Sequence, residues 1–272
     1  MVSLAPSCRL RSALVFAASL AVVFGPQSSN AAQEAKRPSQ PVVRVVYLVP
    51  ADGAVRDLYV DRLTKAIEHL QVWYRNELGG STTFSLHKPV VEVIRTSQVT
   101  SWYSTNPAGD NSDLWFFFNV VADAFALTGG SFFDPGNIWV FYIDSDPACG
   151  QLVGATSGVA VLPANDLRGL AGEPNIPPCV GQTPDTAGVC RWVGGLGHEL
   201  GHAFGLPHPP TCEDADPATI CPSDTLLWLG YIPYPNTYLL SGDKAMLATS
   251  TFFGRVPGRR SLPDCSDLSD NK

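Results

Sequence analysis

Residues 195–210 read GLGHELGHAFGLPHPP, and they hold three of the five histidines in a chain of 272 residues. On a helix, residues four apart stack one turn above the other on the same face. His198 and His202 therefore reach a common point, with Glu199 turned to the space beside it. The pattern H-E-x-x-H continues through Gly205 to His208, giving H-E-x-x-H-x-x-G-x-x-H. With histidine this scarce, an accidental match has odds of roughly one in 10⁵, so chance is set aside. A third nitrogen can arrive only if the helix stops and the chain doubles back. Gly205 can take the left-handed conformation that ends a helix, and Pro207 forbids its continuation. His208 is then placed to complete a set of three neutral imidazoles. Such a set suits Zn²⁺ and leaves a fourth position open for water.

Before this stretch, Arg9 and Arg11 precede the apolar run ALVFAASLAVVFG at residues 13–25, too short to span a bilayer comfortably. Small residues follow at Ser29-Asn30-Ala31, where a signal peptidase would cut. We therefore expect a signal peptide over 1–31, a disordered polar lead over 32–41, and a single domain over 42–272. Its N-terminal part should run to about residue 205 and its C-terminal part from about 206, the point at which the motif helix ends. Export to the extracellular or periplasmic space follows from the leader. The formal net charge is −7 and becomes more acidic once the leader is removed, which argues against nucleic acid or anionic membrane as a partner. A monomer acting on a peptide or protein is expected.

Beyond Cys8 in the leader, six cysteines remain: Cys149, Cys179, Cys190, Cys212, Cys221 and Cys265. An even set in an exported chain favours disulfides, with Cys212 and Cys221 the first pair expected. No C-x-x-C pair occurs, which argues against a thiolate zinc site.

The hydrophobic pattern supplies the remaining elements. VVRVVYLV at 42–49 is a β-branched run of strand length closed by Pro50. Residues 52–80 carry apolar positions at helical spacing, with Gly79-Gly80 as the stop, and His69 reads as an ordinary helix histidine. Short strands are expected at 82–86 and 90–94, with His87 between them at the surface. A second helix is expected over 112–127, a buried strand over 138–143 and a shorter one over 158–162. The order is that of a twisted mixed sheet backed by helices, the α+β class, followed by a small irregular C-terminal subdomain.

At every defined position, the motif resembles that of the metzincin clan of zinc endopeptidases. The resemblance implies a zincin-like fold with a backing helix and an active-site helix, His198, His202 and His208 as zinc ligands, and Glu199 as general base. It also implies that an edge strand, here 158–162, receives an extended substrate. Metzincins place a methionine under the metal in a tight turn. The only methionine after Met1 is Met246, within SGDKAMLAT, which reads as a C-terminal helix. The segment TLLWLGY at 225–231 resembles that turn with leucine in place of methionine, at Leu227 or Leu229, and Met246 is the other candidate. Tyr231 could donate to the oxyanion or pack as an ordinary aromatic. Acidic segments at 144–146 and 213–216 offer oxygen ligands for calcium, but neither has a full loop pattern. The expected activity is hydrolysis of peptide bonds by a zinc-activated water. The alternatives are an exported scaffold with a structural zinc and a metal-dependent hydrolase of non-peptide amides.

Overall fold

Val42–Val49 forms strand β1, and from Val45 onward every residue in it is buried. Burial on both faces is the mark of a central parallel strand. Alternation sends Val43, Val45 and Tyr47 to one core and Val46 and Leu48 to another. The computed structural model describes residues 40–177, 179–183, 185–213, 220–258 and 261–269. The expected leader at 1–31 and nearly all of the lead at 32–41 lie outside them.

After β1 come α1 (Asp57–Glu77), β2 (Thr83–Phe84), β3 (Leu86–Arg95) and α2 (Trp102–Thr105). A 3₁₀ turn (Ser112–Leu114) leads into α3 (Trp115–Thr128), then β4 (Asn137–Ile143), β5 (Gly154–Thr156) and β6 (Val159–Leu162). The chain continues through α4 (Ala164–Leu170), α5 (Val189–Ala203) and α6 (Pro210–Glu213). It ends with α7 (Ser241–Thr249), β7 (Phe253–Gly254) and a 3₁₀ turn (Cys265–Ser269). The main sheet runs β3-β1-β4-β6-β5, its first four strands parallel and β5 antiparallel to β6. On one face, α1, α4 and α5 bury Leu63, Ile67, Leu70, Leu167, Leu196 and Leu200. On the other, α3 buries Phe116, Val120 and Ala124 against Val46, Phe141 and Val161. This is the expected mixed sheet with helices, while the described residues after α5 carry α6, α7, β7 and the final 3₁₀ turn between irregular stretches. Among the described residues no helix is long and apolar enough to cross a membrane.

Three expectations are corrected, and the first concerns His87, which lies half-buried within the continuous strand β3 rather than in a surface connection. The strand at the edge is not 158–162: β6 is paired on both sides, to β4 and β5, and β5 is the edge. Ser157 and Gly158, both at positive φ, turn the two-residue hairpin that adds the extra strand. The first helix also begins five residues later than its apolar spacing suggests, at Asp57 rather than Asp52. Asp52 instead accepts hydrogen bonds from the backbone N–H and hydroxyl of Thr100.

Helix α5 lies close to its neighbours because its packed face is lined with glycine. A Cβ at Gly194 would stand 2.3 Å from the Tyr231 carbonyl oxygen, at Gly197 2.8 Å from Leu70, and at Gly201 2.9 Å from Leu227. Gly194 thus meets backbone, whereas Gly197 and Gly201 admit side chains from α1 and from the segment after α6. Tyr74 locks the contact by donating to the Gly197 carbonyl at 2.9 Å. Gly194→Ala should therefore destabilise the fold by about 1–3 kcal/mol through overpacking, and lower Tm by about 5 °C. Calorimetric unfolding checks this, and an unchanged Tm would mean the turn at 231 yields freely.

The cysteines pair as Cys149–Cys179, Cys190–Cys265 and Cys212–Cys221, the last being the pair expected first. Cys190–Cys265 fastens the final 3₁₀ turn to the start of α5. His69 is a buried structural histidine. It donates from Nε2 to the Pro263 carbonyl at 3.0 Å and accepts at Nδ1 from the Tyr234 hydroxyl at 2.8 Å.

Candidate metal centre

His198 and His202 sit on the last turns of α5, and the helix ends at Ala203. Gly205 has φ +91°, and the Leu206 N–H returns to the Gly201 carbonyl at 3.0 Å, closing the helix end. An aromatic cluster pins that end: the Phe204 ring lies 4.7 Å from Phe253 and 5.6 Å from Phe84, which the small β2–β7 sheet brings together. The reversed chain carries His208 back to the other two histidines, and the ligand nitrogens of all three lie within 4.8 Å of one another.

Each imidazole is held at Nδ1. His198 donates to the Leu226 carbonyl at 2.7 Å, His202 to the Leu206 carbonyl at 2.8 Å, and His208 to Glu213 Oε1 at 2.9 Å. With the protons at Nδ1, the Nε2 lone pairs converge, and those of His198 and His202 face each other at 3.0 Å. Two lone pairs at that distance repel unless a cation lies between them. Tetrahedral nitrogen ligands ~2.0–2.1 Å from zinc stand about 3.3 Å apart, so the residues fit the ion. Burial pushes His198 down to about 4 and also lowers His202, so both are neutral donors at neutral pH.

Glu213 belongs to the short α6 and sits beside Cys212 of the Cys212–Cys221 disulfide. A carboxylate behind a ligand histidine orients the ring and raises its basicity. Glu213→Ala should weaken zinc binding about tenfold, the low end for such a partner because Glu213 is exposed. Competition with a chromophoric chelator measures it, and unchanged affinity would remove this role.

Glu199 faces away from the helix packing, towards the edge of the sheet. A Cβ at Gly154, the first residue of β5, would lie 3.5 Å from Glu199 Oε2. Burial pushes the Glu199 carboxyl up to about 8, the charge of Asp166 adds to this, and Arg191 opposes it. The Tyr231 ring lies 5.2 Å from that of His198, and the Trp228 ring 5.1 Å from that of His208.

In the segment expected to support the site, Leu226 and Leu227 are fully buried, against Gly197 and Gly201. Leu229 is 47% exposed and Met246 on α7 is 46% exposed, so neither provides a buried support. The residue after Thr225 contributes in a way side-chain reading missed, through the Leu226 carbonyl. Sequence reading also missed Asp166 and Arg191, and it offered Glu213 to calcium where the structure sets it against His208, contacts that no local spacing encodes. The hairpin behind the edge strand did leave a signal, the Ser157-Gly158 dipeptide.

The segment 144–146 is engaged elsewhere: Asp144 accepts from the Tyr47 hydroxyl at 2.8 Å, and Asp146 pairs with Arg168 at 2.6 Å. No calcium cluster forms there among the described residues, and residues 214–216 lie outside them.

No family model matches the chain, and no curated protein matches it in sequence. Among solved structures it is similar to OgpA from Akkermansia muciniphila, at 16% identity and a TM-score of 0.51 in one crystal form. A second form gives 18% identity and 0.50. Each superposition covers 78% of this chain and 62% of OgpA, so the chain spans about three-fifths of that protein's length. Catalytically inactive OgpA has been crystallised with an O-glycopeptide substrate. Archaemetzincin from Methanopyrus kandleri superposes more loosely, with a TM-score of 0.40 at 16% identity, covering 78% of this chain and 96% of the other. The likeness to OgpA establishes a shared fold.

Proposed function

We propose that this chain is an exported zinc-dependent endopeptidase, acting as a monomer on extended peptide or protein segments. The observation that carries the reading is the juxtaposition of three inward-facing imidazoles with Glu199 and the open strand β5. Zn²⁺ held by His198, His202 and His208 supplies a Lewis acid that polarises a carbonyl and brings the pKa of a bound water to about 7. Glu199 takes the proton of the attacking water and then passes it to the leaving amine. Among the described residues the outer edge of β5 pairs with no strand, and its N–H and C=O groups offer a line along which a substrate backbone can lie as an added strand. Tyr231, beside His198, is placed to donate to the oxyanion. The leader at 1–31 and the three disulfides support export. A purely structural zinc site has no need of a carboxylate at its open side, which counts against the scaffold reading.

The test is a proteome-derived peptide library presented to the zinc-loaded chain. Cleavage with about one zinc per molecule is expected. A chain that carries its zinc and leaves every peptide intact would overturn the proposal.

A further inference from the structure

Beside Glu199 opens a cavity of about 190 Å³ whose two walls differ in chemistry. Val153 and Leu162 form an apolar wall at the β5–β6 edge. Opposite stand Asp166 of α4 and Arg191 of α5. Arg191 is fixed on several sides. Its Nε donates to Asp185 at 2.7 Å, and its guanidinium carbon lies 4.3 Å from the Trp192 ring centre and 4.8 Å from that of Tyr231. Its Nη1 is then aimed across Gly195, where a Cβ would stand 2.9 Å from Nη1 and 3.8 Å from Asp166 Oδ1. The two charged ends thus converge on one glycine without meeting. Among the described residues no ion pair of 4.0 Å or less joins them, and the Asp166 carboxylate accepts no hydrogen bond.

A fixed donor and a fixed acceptor side by side discriminate by charge. A cationic side chain is drawn to Asp166 and repelled by Arg191, and an anionic one meets the reverse. A group with its own acceptor and donor side by side satisfies both. We propose that this cavity is a side-chain pocket in which Asp166 and Arg191 select a substrate carboxamide next to the cleaved bond. The amide nitrogen donates to Asp166, the amide oxygen accepts from Arg191, and the apolar wall takes the methylene stem, favouring glutamine over asparagine. The inference rests on the peptidase reading for the identity of its ligand. The raised carboxyl of Asp166, pushed to about 7 by burial against the pull of Arg191, agrees with an acceptor that lacks a partner.

The experiment uses one cleaved peptide with Gln, Asn, Leu, Lys or Glu at each of the two positions flanking its scissile bond. Zinc-loaded wild type should favour Gln at one of them by about tenfold or more in kcat/KM over Leu, Lys and Glu, as expected of a site built to hydrogen-bond its substrate. Asp166→Leu should erase the preference and Asp166→Glu restore part of it. Ratios taken within one variant are independent of how much of that variant has folded. Calorimetry on zinc-loaded Glu199→Gln protein gives the same comparison by binding alone. A preference for Lys or Glu, an even profile, or a Gln preference that survives Asp166→Leu would overturn the pocket assignment. Tighter binding of the Gln peptide with no cleavage by wild type would uphold the pocket and reject the peptidase reading. Cleavage without a Gln preference would do the opposite.

Discussion

Glu199→Gln is expected to lower kcat/KM by about 10³-fold, within the range for loss of a general acid–base, while the protein still binds one zinc. The amide keeps the shape of the carboxyl and cannot take a proton from water, so the loss should appear in kcat with little change in KM. The same substitution has an opposite effect on the metal-free fold. Glu199 ordinarily titrates at 4.5 and is pushed to about 8 in the folded chain, by burial first and the Asp166 charge second. Between those values the folded chain keeps a proton that the unfolded chain has lost, so stability falls as pH rises and the loss is complete above about 8. Asp166 slopes in the same direction between 3.8 and about 7. His198, lowered from 6.5 to about 4, slopes in the opposite one. Both remain in the variant, so the difference from wild type isolates Glu199. At pH 9 metal-free Glu199→Gln should exceed wild type by on the order of 2 kcal/mol, or about 5 °C in Tm. An active variant would remove Glu199 from the chemistry. Equal metal-free stability at pH 9 would show that its carboxyl is not held neutral by its surroundings.

Stripping the metal from wild type with a chelator should lower Tm by about 10 °C, and adding Zn²⁺ should restore it. An ion that binds only the folded chain, present at about a thousand times its Kd, contributes about 4 kcal/mol. For a domain of this size each kcal/mol corresponds to about 2–4 °C. The three histidines come from both sides of a helix end, so an ion held by them would tie α5 to the chain returning at His208. His202→Ala should abolish the zinc-dependent part of the shift. A chelator-insensitive Tm, with zinc shown by analysis to have left, would mean that the site is rigid without its ion and gains nothing in stability from it.

What could be read from the sequence was what local periodicity encodes. The β-branched run at Val42–Val49 and the alternation of helix and strand through α3 and β4 follow from spacing alone. So does the path from His198 through Gly205 to His208, because helix pitch and a left-handed glycine fix where those residues go. The three-residue strand β5 carries too few positions to show a period, so the pattern sets the edge at its hairpin partner. Leu229 matched the supporting turn by spacing yet is half exposed, because tertiary packing rather than spacing selects which leucine is buried. Asp166 and Arg191 converge on Gly195 only because α4 and α5 pack side by side, information that lies in no single segment.

The bond from His198 to the Leu226 carbonyl has a consequence for how such sites diverge. A main-chain acceptor is indifferent to the side chain it carries. An exposed position of the segment, such as Leu229, can change without unseating His198, provided the path of the turn is kept. Drift of that kind erases the residue signature while the device persists, so distant kin of this chain are better sought by the trace of the loop than by the letters in it.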